Sequence, residues 1–297
     1  MRKSEPAIHV VIPDTQVKPG APIDYLDWVG RYIVEQFAGK DNIKIIHLGD
    51  HADMPSLSSY DEGKKEMEGR RYKADIGAAN VGFDLLNNAL TEYNLARRRH
   101  KEKKWLPERH ILLGNHEDRI NRAISLDAKL DGTISTDDLN YSDHGWQVHP
   151  FLAPVSLDGV WYAHYFYNHN NGRPLGGMVE SRLKNIGHTF TQGHQQGLWY
   201  GIRYVAGKQQ NGLVAGSCYL HDEDYKGPQG NAHWRGIVIC HQVESGSYDP
   251  MFVSLDFLCR KYAGKRLSEY TPKIFAPDSE GNSKCSPNTN AKSVVKP

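Results

Sequence analysis

No apolar run in this 297-residue chain approaches the roughly 20 residues needed to cross a bilayer. The opening Met1-Arg2-Lys3-Ser4-Glu5-Pro6 lacks the apolar core of a secretion signal, so no membrane partner and a cytoplasmic protein are expected. Cysteine is scarce: Cys218, Cys240, Cys259 and Cys285 lie far apart without a CxxC pair, which argues against a disulfide framework or a zinc ribbon. Excess charge of either sign is also missing. With 36 Lys+Arg against 35 Asp+Glu, the net charge of +1 argues against a polybasic nucleic-acid coat or an acidic solvating tail. Apolar residues are not lacking: 39% hydrophobic and 10% aromatic residues can fill a sizeable core, and wholesale disorder is excluded. Histidine is over-supplied. Fifteen of them matter because imidazole both ligates metals and moves protons near neutral pH.

Ile8-His9-Val10-Val11-Ile12 reads as a buried strand that delivers Asp14 past its carboxyl end. From Asp24 to Phe37, Leu26, Val29, Ile33 and Phe37 recur at helical spacing, with Gly39 placed to stop the helix. Ile43 to Leu48 predicts a second strand, so the opening is β-α-β with parallel strands. Residues 56–104 read as an inserted helical segment ending in the basic run Arg97-Arg98-Arg99-His100-Lys101-Glu102-Lys103-Lys104. A third strand, Arg109 to Leu113, follows. From about residue 147, short strands are expected at 160–166, 188–192, 198–206, 211–217, 235–243 and 250–257. A single domain over 1–263 is expected, and 264–297 is expected to be a flexible tail because it holds little to bury.

Three of these strands end in polar clusters: Asp14-Thr15-Gln16, Gly49-Asp50-His51-Ala52-Asp53 and Gly114-Asn115-His116-Glu117. Neighbouring strands of an α/β sheet open onto one crevice at their carboxyl ends, so groups far apart in sequence can converge there. Two later strands add Ala163-His164 and Gly193-His194-Gln195-Gln196. Carboxylate, amide oxygen and imidazole together suit Mn, Fe or Zn better than an all-oxygen site for Mg or Ca. Taken singly, each cluster could merely cap a turn; five in series outweigh that reading.

The order DxQ, GDxxD, GNHE, H, GHxx resembles the calcineurin-like metallophosphoesterase superfamily over residues 8 to about 196. The resemblance implies an α/β fold, a four-layer α-β-β-α sandwich, here with the inserted helical segment. It also implies two divalent ions, Mn first, with Fe, Zn or Ni as alternatives. By position, Asp50 would bridge the ions, and Asn115, His164 and His194 would hold one of them, with His169 as a spare for His164. The other ion would take Asp14, Gln16 and Gln196. Here the sequence departs from the pattern, because Gln16 and Gln196 stand where the family has histidines. A neutral amide oxygen is a weaker ligand than imidazole, so this site is expected to be the weaker one, and a water-bridged or non-ligating role for both glutamines stays open.

The resemblance makes His116 a substrate-contacting general acid oriented by Asp53, with Asn115 also touching substrate. Glu117 and Asp118 would be supporting groups. Arg119 either grips substrate phosphate or pairs with Asp118 or Glu62. Further on, Asn231-Ala232-His233-Trp234-Arg235-Gly236, after Ser217-Cys218-Tyr219, resembles the carboxyl-terminal part of metallophosphatases of bacteriophages. The expected activity is hydrolysis of a phosphodiester, with nucleic acid as the expected partner and residues 97–104 as a candidate contact. Phosphomonoester hydrolysis and a catalytically weak binding protein are the rivals.

Overall fold

A computed structural model describes residues 5–223 and 226–272 of the chain. The described residues form a mixed α/β structure with two mixed sheets and six α-helices, compatible with an α/β sandwich. The first sheet is built from β1 (Ala7–Ile12), β2 (Ile43–His47), β3 (Glu108–Leu112), β4 (Gln147–His149), β10 (Gly236–Glu244) and β11 (Ser247–Ser254), in the order β11-β10-β1-β2-β3-β4. β1 to β4 are parallel, and β10 joins β1 antiparallel. The second sheet takes β5 (Val155–Leu157), β6 (Val160–Ala163), β7 (Phe190–Gln192), β8 (Leu198–Val205) and β9 (Lys208–Ala215), in the order β5-β6-β7-β9-β8.

Strand alternation explains why the central strands read as unbroken apolar runs. In β1, Val10 and Ile12 join a cluster with Leu26, Val29 and Phe83, whereas Val11 faces a second cluster with Tyr162 and Leu213 of the opposite sheet. Ile45 against Ile46, and Ile111 against Leu112, divide the same way. Both faces of these strands are buried, so both must be apolar. Helices α1 (Asp24–Phe37) and α2 (Tyr72–Arg99) lie against the first cluster, and α4 (Val179–Ile186) covers Phe190 and Val214 on the other side of the second sheet.

The second half is less purely β than its sequence texture suggests. Besides α4, the 250–257 segment leaves β11 at Ser254, whose hydroxyl accepts the Phe257 amide N–H and starts α6 (Leu255–Ala263). Gly264, at φ +69°, ends it. The expected tail begins by docking: the Tyr270 hydroxyl is 3.0 Å from Asp24 Oδ2, and its ring meets Trp28 edge-on at 5.0 Å. Residues 273–297 lie outside the described residues. Among the described residues, no helix is long and apolar enough to cross a membrane.

Within the expected helical insertion, α2 lays Ala79, Phe83, Leu86 and Leu90 on α1 and turns its polar side outward. Its basic end lies away from the strand-end clusters. Trp105, just after the run, donates its indole N–H to the carbonyl of Lys40, ahead of β2, and leads straight into β3. Residues 97–104 therefore sit at the amino ends of the parallel strands. Arg97 is also engaged locally, with Glu102 at 3.1 Å and Tyr93 at 3.2 Å.

Candidate metal centre

Each polar cluster leaves a strand at its carboxyl end: Asp14 after β1, Asp50 after β2, Asn115 after β3, His164 after β6 and His194 after β7. Backbone bonds hold these ends together. The amides of Thr15 and Gln16 donate to the Asp50 carbonyl at 3.1 and 2.8 Å. Glu117, fully buried, ties two loops: Oε2 accepts from the amides of Asp50 (2.9 Å) and Gly114 (2.8 Å), while Oε1 accepts from Ala52 (3.0 Å) and the Tyr141 hydroxyl (3.2 Å). The loops after β2 and β3 pass so closely that a Cβ on Gly49 would fall 2.3 Å from the Leu112 carbonyl, and one on Gly114 would fall 2.0 Å from Asp50 Oδ1. Gln16, Asp50, His194 and Gln196 all hold left-handed φ values of 43° to 67°. Such conformations cost on the order of 1–3 kcal/mol each and persist where the surroundings fix them, which is typical of binding sites.

One side of the site converges fully. Ligand-type atoms of Asp50, His164 and His194 all lie within 4.8 Å of one another. His164 Nδ1 donates to the Leu48 carbonyl at 2.8 Å, so Nε2 is the nitrogen that faces the site. There it meets Asn115 Oδ1 at 2.9 Å and Asp50 Oδ2 at 3.3 Å. Two oxygen acceptors crowded on one imidazole nitrogen call for a positive charge. Without an ion, a proton on His164 supplies it: burial opposes that charge, but Asp50 and Asp14 outweigh burial and raise the His164 pKa to about 9. Burial and the neighbouring His164 push His194 down to about 4, so this ring is neutral and free to ligate.

The opposite side is weaker. Asp14 Oδ1 accepts the His194 amide N–H at 3.0 Å, but Oδ2 is buried without a hydrogen-bond partner. Burial first, and then the charge of Asp50, raises the Asp14 carboxyl to about 7. An orphaned buried carboxylate oxygen fits a cation, and here a proton takes that part. Gln16 follows two residues later, whereas the Gln196 side-chain carbonyl is occupied by the Tyr219 hydroxyl at 2.8 Å, which in turn accepts from Lys226 Nζ at 3.0 Å. Asp50, His164 and His194 could thus hold a metal ion, and the other side offers the orphaned Asp14 oxygen.

His116 stands over the same aspartate. Its amide donates to Asp50 Oδ1 at 2.9 Å, and its ring nitrogen Nδ1 lies 2.6 Å from Asp53 Oδ1. That bond leaves Nε2 turned toward Asp50 Oδ2 at 3.8 Å. Burial disfavours a charged ring, but Asp50 and then Asp53 outweigh it and raise the His116 pKa above the usual imidazole value. Arg119 pairs with neither Asp118 nor Glu62. Its Nη1 donates to the carbonyls of Asp53 (2.8 Å) and Met54 (3.3 Å), and Nη2 lies 3.3 Å from His116 Nε2.

Asp14, Asp50, Asp53, Asn115, His116, Arg119, His164 and His194 are linked in one crevice, Gln16 joins it through its amide on the Asp50 carbonyl, and Gln196 turns to Tyr219; the spare, His169, lies exposed on the following loop against Tyr167. Sequence reasoning missed Lys18, Tyr219, Glu223 and Lys226. Lys18, only two residues beyond Gln16, was the one with a local signal; the others arrive through tertiary contacts. A scan against protein-family models finds no matching family, and a search of curated proteins finds no matching sequence.

Proposed function

We propose that this chain is a metal-dependent phosphoester hydrolase of the calcineurin-like metallophosphoesterase type, with that family's four-layer arrangement. The observation that carries the reading is the convergence of Asp50, Asn115, His164 and His194 beneath an imidazole, His116, that is itself held by Asp53. The mixed nitrogen and oxygen donors suit Mn, with Fe, Zn or Ni as alternatives. A divalent ion, when bound, supplies Lewis-acid charge for the phosphoryl oxygens and acidifies water for in-line attack.

The chain's own residues supply the rest. Asp50, Asn115, His164 and His194 hold the ion, and Asp14 with Gln16 and Gln196 offers the weaker second position. Asp53 accepts from Nδ1–H of His116 and leaves Nε2 to carry a proton to the departing alkoxide. Arg119, fixed by two backbone carbonyls, presents Nη2 beside that nitrogen, where a phosphate oxygen would sit.

Residues 97–104 lend no support to a nucleic-acid substrate at this crevice, because they lie at the other end of the strands. The substrate class is read by assaying the Mn-loaded protein on bis-p-nitrophenyl phosphate and p-nitrophenyl phosphate side by side, with Asp50→Asn as control. Turnover removed by Asp50→Asn supports the reading, and diester preference supports a phosphodiesterase over a phosphomonoesterase. Silence on both, with metal bound, overturns it in favour of a binding protein.

A further inference from the structure

Asp53 is held by His116, by Lys18 and, at 3.6 Å from Oδ1, by Arg119 Nη1. Its Oδ1 faces His116, and its Oδ2 lies 3.2 Å from Lys18 Nζ. Lys18 in turn reaches both carboxylate oxygens of Glu223 at 2.9 Å. The Asp53 and Glu223 side chains are each about nine-tenths buried, and Lys18 is only a quarter exposed, so this is no solvated surface pair. His221 adds a further contact, its Nε2 lying 2.8 Å from Glu223 Oε1.

The segment that delivers Glu223 is itself knitted together. Asn231 accepts the Glu223 amide N–H with Oδ1 at 2.9 Å and returns a donor from Nδ2 to the Glu223 carbonyl at 2.9 Å. Arg235 donates to the carbonyl of Leu220 at 2.9 Å and pairs with Asp222 at 2.6 Å. These are the residues of the Asn231-Ala232-His233-Trp234-Arg235 motif, to which the proposed chemistry gives no role. Their contacts give them one.

Resting on the general-acid reading of His116, we infer that Lys18 and Glu223 are positioning residues for that acid. Residues 217–223 and 226–235 together present Glu223 to Lys18, and Lys18 fixes the plane of the Asp53 carboxylate that aims the His116 ring. An untethered carboxylate rotates about its Cβ–Cγ bond and carries the imidazole with it. A proton transfer tolerates little of that error, since small misplacements of a catalytic group reach about 10²-fold in rate.

The test separates acid catalysis from general damage by varying the leaving group. A departing p-nitrophenolate needs little protonation, whereas a departing alkoxide needs it fully. Lys18→Met is expected to lower kcat on an alkyl phosphoester about tenfold or more beyond its effect on the p-nitrophenyl ester, at unchanged metal content. Lys18→Arg should restore much of that difference, and Glu223→Gln should produce a smaller loss of the same kind. In a His116→Ala background, the Lys18→Met penalty should vanish, because it acts through that ring. Equal losses on both esters, or the same penalty with and without His116, overturn the inference while leaving the hydrolase reading intact. If His116→Ala itself shows no leaving-group dependence, the general-acid reading falls and the inference falls with it. Should Lys18→Met fold poorly, Glu223→Gln and Lys18→Arg carry the same comparison.

Discussion

The two ends of the parallel strands are built from the same residue types to opposite effect. At the amino ends, His9 bonds the Tyr162 hydroxyl at 2.7 Å and Asp158 at 2.8 Å, and Lys44 reaches the same aspartate at 2.7 Å and Glu108 at 3.6 Å. Glu108 meets His110 at 2.9 Å, and His110 reaches His149, the last residue of β4, at 2.9 Å. Asp158 and Glu108 both have donors there. At the carboxyl ends, Asp14 keeps an orphaned oxygen, and Asp50 and Asn115 crowd one imidazole. Polar residues that serve packing satisfy one another, whereas a binding site keeps acceptors in reserve for a guest.

The largest test of that contrast is Asp50→Asn. Activity should fall by more than about 10³-fold, because the anion shared by His116, His164 and the proposed ion is gone. Asp158→Asn removes a carboxylate from the opposite end and should leave kcat within about twofold. Equal losses from the two substitutions would erase the functional asymmetry.

Asp14→Asn should show the trade-off directly. In the metal-free protein, the Asp14 carboxyl has its pKa raised by burial from its ordinary value to about 7, so its stabilising contribution is complete below about pH 4 and lost as pH rises toward 7. The amide ends that loss. At pH 7.5, the metal-free variant should unfold later than the parent, by on the order of 2 kcal/mol, while binding metal less well. An earlier urea midpoint would show that Asp14 is not held at a cost.

Third in size, Asp158→Ala should cost about 1–2 kcal/mol, because it strips an acceptor from the fully buried His9. A midpoint shift below about 0.3 kcal/mol would mean that Tyr162 alone satisfies that ring.

Much of this asymmetry was visible in the sequence, for a physical reason. Parallel strands buried on both faces must be continuous apolar runs, so the polar residue that ends each run marks the crevice; Asp14, Asp50 and Asn115 were found that way. Helix α1, with one clean apolar stripe, covers the span that its periodicity predicts. What failed to show was what depends on distant partners. Lys18 meets Glu223 across 205 residues, and nothing local in either segment announces the pairing. The run 97–104 looks like a phosphate-binding patch until Trp105 fixes it beside Lys40. Helix α6 hides in an apolar stretch that reads equally well as a continuing strand, and the Ser254 hydroxyl decides between them.

The smallest expected effect sets Asp14 against the buried imidazoles in sign. Burial lowers the pKa of His9, His110 and His149, although Asp158 and Glu108 partly oppose it for the first two. Below the ordinary histidine value of about 6.5, the unfolded chain therefore binds protons that the folded chain refuses, and stability falls as pH drops. Asp14 works the other way over the same range in the metal-free protein, gaining stability as pH drops from about 7. Mn should silence the Asp14 contribution by taking the place of its proton, so the metal-loaded protein reports the buried imidazoles, His47 and His51 at the carboxyl ends among them. Its urea midpoint should decline from pH 7 to 5.5 more steeply than that of the metal-free form. His149→Gln should flatten the loaded protein's decline slightly, by about 0.5 kcal/mol per pH unit or less, because this ring is partly exposed and screened by water. Parallel slopes with and without metal would mean that Asp14 and the buried imidazoles do not differ in the proton each prefers to hold.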